Sequence, residues 1–224
     1  MPILSVYEEF IQRVDQLGLM TLSPSLPGLP SLGEETTPDQ WHTGAETDPW
    51  QWKDRAAAEK RLAYGCILGG HKGFVSGELY GAFYAACHPT AAMPERWEAG
   101  AVRKEAWDLW TYFESNPLAS TAEIRRALGV SRASGAGRLD AALEQLEREF
   151  YITTAGTRRK IARGGQPFGW PATVYDRVTA WAPPAWLRDA AGMQPREGRA
   201  LILDAAARMN PAPDLAELAR FLMI

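Results

Sequence analysis

The chain of 224 residues carries only two cysteines and three histidines, and neither type recurs at a ligand spacing. No C-x-x-C occurs, and Cys87 and His88 are adjacent, a poor arrangement for reaching one ion together. Cys66, His71, Cys87 and His88 therefore predict no metal site. Two cysteines supply no disulfide framework, which fits a reducing cytoplasm. No apolar run approaches the ~18 residues of a membrane span, and the first ten residues lack the basic-then-apolar plan of a signal peptide. G-x-S-x-G, Walker A and G-x-G-x-x-G patterns are all missing, so no activated serine, nucleotide or other cofactor is expected. The chain also lacks excess positive charge, with a formal net charge of −3. That argues against a protein that coats nucleic acid indiscriminately. Any such contact must be local.

The stretch from Ala101 to Trp181 has a definite plan. Ala106, Leu109, Trp110 and Phe113 form the i, i+3, i+4, i+7 stripe of a helix, which Asn116-Pro117 stops. Ser120 or Thr121 caps a second helix that buries Ile124, Ala127 and Leu128 and ends at Gly129. After the short turn Gly129-Val130-Ser131, a third helix carries Leu139, Leu143, Leu146 and Phe150 on its seam. Small residues Gly135-Ala136-Gly137 at its start either let backbone N–H groups approach a phosphate or form a loose first turn. The period then becomes extended, in Tyr151-Ile152-Thr153-Thr154 and Ala172-Thr173-Val174-Tyr175. Between them lies a basic hairpin tipped by Gly164-Gly165, and Leu118-Ala119 supplies a short third strand. Three helices followed by such a hairpin is the order of a winged helix-turn-helix. From Ala119 to Arg163 there are nine Lys/Arg against five acids, +4 within an acidic chain. Duplex DNA is the expected partner, contacted by Arg132 and Arg138 on the third helix and by Arg158, Arg159, Lys160 and Arg163 on the wing.

Residues 1–100 read as an N-terminal helical unit. A helix over residues 5–17 places Val6, Phe10, Val14 and Leu17 on one face, closed by Gly18. Ser23 to Gly44, rich in Pro, Gly and Ser, reads as an ordered strap or a linker. Asp48 caps a helix that has Pro49 at its first position. Trp50 and Trp52 point to different sides of that helix. Either one anchors the core while the other packs under the strap, or they wall a site for a stacked base beside Lys53 and Arg55. Tyr64–Leu68 and Phe74-Val75 pair as a hairpin, and Ser76 caps a helix carrying Leu79, Phe83 and Ala86. Trp97 precedes the next helix. Residues 182–224 form a C-terminal helical region, with helices at 185–191, at 195–209 (burying Leu201, Ile202 and Ala205) and around Leu215, Leu218, Ala219 and Leu222.

Several short motifs held in order carry a resemblance: Leu26-Pro27-Gly28-Leu29-Pro30-Ser31-Leu32, Trp41 to Gly44, Asp48 to Lys53, Tyr64-Gly65, Lys72-Gly73-Phe74, Leu139 to Tyr151, and Phe168-Gly169-Trp170. In these the chain resembles uncharacterised bacterial proteins related to the AlkZ (YcaQ) winged-helix DNA glycosylases. The resemblance implies winged-helix units around a DNA-binding groove and a setting in DNA repair. The glycosylases of that group use a Gln-x-Gln or Gln-x-Asp motif, and this chain contains neither. No catalytic residue is carried over. The fold expected is α+β, mainly helical, and the function expected is DNA binding through the third helix and wing. The alternatives are a glycosylase-like enzyme with Asp48 or Asp54 as acid/base near Trp50, and a winged helix retained as a protein-interaction scaffold.

Overall fold

The computed structural model describes residues 3–131 and 135–224. Arg132, one of the expected DNA contacts, lies outside the described residues. The chain opens with helix α1 (Tyr7–Leu17), whose buried face is Tyr7, Phe10, Ile11, Val14 and Leu17. Val6 sits just before the helix and is exposed. Gly18 ends the helix at φ 83°, a conformation that disfavours a side chain. Strand β1 (Leu19–Thr21), which sequence periodicity did not signal, follows at once and is wholly buried. The Pro-rich segment after it is ordered. It pairs Thr21 with Ser31, buries Leu29 and Leu32, and is tied to α1 by the Arg13–Glu35 ion pair at 2.8 Å.

Helix α2 (Pro49–Ala58) leads into β2 (Leu62–Leu68) and β3 (His71–Ser76), joined through Gly69-Gly70. These strands and β1 form an antiparallel sheet in the order β1-β3-β2. Helix α3 (Gly77–Cys87) is capped by the Ser76 side chain, which accepts from Leu79 N–H. Helix α4 (Met93–Glu98), a short helix that sequence periodicity did not signal, contains Trp97.

Helix α5 (Lys104–Ser115), strand β4 (Ala119–Ser120), helices α6 (Thr121–Ala127) and α7 (Ala136–Arg148), and strands β5 (Ile152–Ile161) and β6 (Pro167–Arg177) come next. The Ser120 hydroxyl accepts from Glu123 N–H, and the Glu123 carboxylate accepts from Ser120 N–H, so each satisfies a donor at the start of α6. The second sheet has the order β4-β6-β5, antiparallel throughout. Both hairpin strands run longer than their β-branched centres, out to residues 161 and 167.

The chain finishes with α8 (Val178–Trp181), α9 (Pro184–Leu187), α10 (Pro195–Ala207) and α11 (Leu215–Leu222). Helix α10 buries Ile202 and Ala205 but leaves Leu201 46% exposed, contrary to expectation, because its inward face is the one that meets α3. No helix among the described residues is long and apolar enough to cross a membrane.

Two buried clusters result among the described residues. One joins α1, α2, the first sheet and α3 to the C-terminal helices through Val178, Trp181, Ile202, Leu218 and Leu222. The other holds α5, α6 and α7 together through Leu109, Phe113, Ile124, Leu139, Leu143 and Leu146. Phe150 does not belong to the third-helix seam. It lies past the end of α7 at φ 55° and sends its ring into the first cluster, 5.4 Å from Tyr80 and 6.3 Å from Phe83.

Candidate nucleic-acid interface

The hairpin of β5 and β6 is buried at its root and bare beyond it. Ile152, Thr153, Thr154 and Gly156 are buried, whereas residues 157–170 are exposed on both strands. Gly165 at φ 80° closes the tip, and Ala162 N–H donates to Gln166 O at 2.9 Å. The register places Lys160 opposite Phe168 and Ile161 opposite Pro167, with an irregularity between Arg158 and Lys160. Neighbouring strand positions face opposite ways, and the basic residues differ in role. Arg158 turns back to α6, where Nη1 donates to both oxygens of Glu123 at 3.0 Å and Nη2 donates to Leu118 O. Arg138, in the first turns of α7, pairs with Glu105 at 2.9 Å but stays largely exposed. Arg159, Lys160 and Arg163 form no ion pair among the described residues. Interleaved with these three cations are exposed apolar side chains, Ile161, Phe168 and Trp170.

Between the hairpin and α2 runs a groove of about 730 Å³, lined by Trp50, Asp54, Arg55, Thr157, Arg159 and Trp170 among others. It brings one of the two sequence-selected tryptophans beside the hairpin and excludes the other. Trp52 is 1% exposed, stacks on Phe10 at 5.8 Å, and donates its indole N–H to Glu46 O. It is a core anchor with no face for a base, because the i and i+2 positions of a helix face different ways. Trp50 borders the groove, yet Lys53 Nζ lies 4.2 Å from its ring centre and His42 packs 4.9 Å away. Both signs of charge line the groove: Glu46, Asp48 and Asp54 as well as Arg55 and Arg159. The hairpin beyond its root carries Arg159, Lys160 and Arg163, whereas the groove lining carries both signs of charge.

A family model described as AlkZ related matches residues 4–223. The chain belongs to the AlkZ-related family. No curated protein and no solved structure matches it.

In this AlkZ-related protein the two acids considered for acid/base work are both engaged. Asp48 Oδ1 accepts from His42 and Trp50 N–H, and Oδ2 accepts from Gly44 N–H, all near 3.0 Å. Burial alone would raise its carboxyl, but those three donors hold it below the ordinary range. Asp54 Oδ1 accepts from Lys53 Nζ at 2.7 Å. Lys53 is itself buried against the Trp50 and Tyr64 rings, and that burial lowers its ammonium despite Asp54. The thiols of Cys66 and Cys87 are each pushed up by burial to about 12, which leaves them unreactive at neutral pH. His88 Nδ1 lies 2.9 Å from Glu149 O, and burial lowers its imidazolium. Among the described residues no three metal-binding side chains converge.

The residue that sequence reasoning passed over in the AlkZ-related chain is Glu147. It is 3% exposed in the seam between α7, β2 and β5. Its carboxyl accepts from the Thr154 hydroxyl at 2.8 Å and from Cys66 N–H at 3.3 Å, with no ion pair among the described residues. Burial raises it to about 7, against the smaller opposing effects of those hydrogen bonds and of Lys72. A Cβ at Gly65 would collide with Glu147 Oε1, so the carboxyl lies directly on the strand. Its position was readable, since 139, 143 and 147 share one helical face. Its identity as an acid masked that periodicity.

Proposed function

We propose that residues 101–181 form a winged helix-turn-helix unit and that the protein binds duplex DNA through the hairpin as wing, with the third helix beside it. Membership of the AlkZ-related family supports a setting in DNA repair. The observation that carries the reading is the concentration of cations without an ion pair among the described residues, Arg159, Lys160 and Arg163, on one exposed hairpin of an acidic chain. Cations already neutralised by neighbours release few counterions on meeting a phosphate, whereas free ones release about one each. Arg158 therefore serves to fix the wing on α6 rather than to touch DNA. Arg138 is held by a single ion pair and is 73% exposed, which leaves it open to a stronger phosphate or base partner; it and Arg132, outside the described residues, are the candidate base-edge contacts.

Base excision finds less support. Asp48 spends both oxygens on backbone N–H donors of the helix start and the preceding loop, Asp54 is ion-paired, and the chain has no Gln-x-Gln or Gln-x-Asp. The test is fluorescence anisotropy on a labelled duplex with Arg159, Lys160 and Arg163 all changed to Glu. Binding should be lost, and with the single charge removals the log–log salt slope should fall by about 0.9 per contact. Melting should not change, because the three side chains are exposed. Unaltered affinity in the triple variant would sink the reading and favour a protein-interaction scaffold.

A further inference from the structure

Trp170 is 86% exposed, the most open large apolar side chain described. Each of the other eight tryptophans packs against another aromatic ring, and Trp170 has no such neighbour among the described residues. Ile161, 63% exposed, and Phe168, 49% exposed, stand on the same hairpin. Such a set on bare strands invites strand-to-strand aggregation unless a partner covers it. Its setting identifies the partner. Phe168 is opposite Lys160 in the register, and Arg159 and Arg163 flank the same arm, so apolar and cationic groups alternate within a few residues. A polyanion with flat apolar layers between its charges matches that alternation, and stacked base pairs between phosphates have this form.

We infer that the hairpin is a wedge: Trp170, backed by Phe168, inserts between base pairs of the bound duplex while Arg159, Lys160 and Arg163 hold the flanking phosphates. This rests on the duplex-binding reading above and adds to it a mode and a preference. Unstacking a step costs least where the step is already weak, at a mismatch, a bulge or a missing base. The protein therefore selects duplexes with a weakened step over matched ones.

The experiment uses the full chain with three duplexes of one sequence: matched, with a single mismatch, and with a stable abasic analogue. Each carries 2-aminopurine beside the test step. Binding should raise 2-aminopurine emission and be about tenfold or more tighter on the weakened duplexes, as relief of part of an unstacking cost requires. Trp170→Ala should keep the salt slope and bind the matched duplex within a few-fold, yet lose both the emission rise and the preference. Phe168→Ala should lose part of each. If Trp170→Ala retains unstacking and preference, the wedge is refuted and duplex binding stands. If the unaltered protein binds none of the duplexes, both readings fall. A shift of tryptophan emission with phosphatidylglycerol vesicles but not with DNA would assign the hairpin to a membrane surface and overturn the proposal.

Discussion

Glu147→Gln should make the protein more stable at pH 8 while leaving it nearly unchanged at pH 5. The magnitude follows from the buried carboxyl. Its titration point moves from 4.5 when exposed to about 7 in the folded chain, chiefly through burial. Between those values the native state holds a proton that the unfolded state has released, so stability falls as pH rises through this window. The full loss is about 3 kcal/mol, the free-energy equivalent of that displacement. Glutamine keeps the shape: Oε1 accepts from Cys66 N–H, and Nε2 donates to the Thr154 hydroxyl, which turns to receive it. Rearranging those bonds costs about 1 kcal/mol, leaving a net gain of about 2 kcal/mol at pH 8. Urea unfolding of both proteins at pH 5, 6, 7 and 8 measures it, with the difference between them cancelling every other titrating group. His88 is one such group, and its lowered imidazolium acts with the opposite sign: its contribution is present at high pH and lost on acidification. A wild-type-minus-variant difference that does not change with pH would refute the argument and show that the Glu147 carboxyl is solvated.

Leu143→Ala should destabilise by about 2–5 kcal/mol, since the side chain is 4% exposed in the α5–α6–α7 cluster; an unchanged urea midpoint would mean that the α7 face is misassigned. Asp48→Ala removes acceptors from three backbone donors and should cost at least ~1–2 kcal/mol; a loss of DNA binding at unchanged stability would instead give this carboxylate a role in the groove.

Features set by neighbouring residues were legible in the sequence. Asp48-Pro49, Ser76 and Ser120 announce helix starts because a cap acts on donors two or three residues away. Gly69-Gly70 and Gly164-Gly165 announce turns for the same local reason. The face of α7 was legible from Leu139 to Leu146 but was extended too far to Phe150, whose backbone leaves the helix to fill a different cluster. β1 is three residues long, too short to show alternation, and exists because β3 offers it an edge. Which cations of the hairpin are free was not legible: Arg158 is engaged only because the fold brings up Glu123, thirty-five positions earlier in the chain. The inward place of Trp52 depends in the same way on Phe10, forty-two positions away.

Hydrogen exchange of the full chain with and without a 20-base-pair duplex tests the central claim most directly. If the hairpin is the wing that meets DNA, exchange should slow across residues 157–170 and in the first turns of α7, and not in the cleft between α1, the Pro-rich strap and residues 208–211. Slowing confined to that cleft, with the hairpin unaffected, would contradict it.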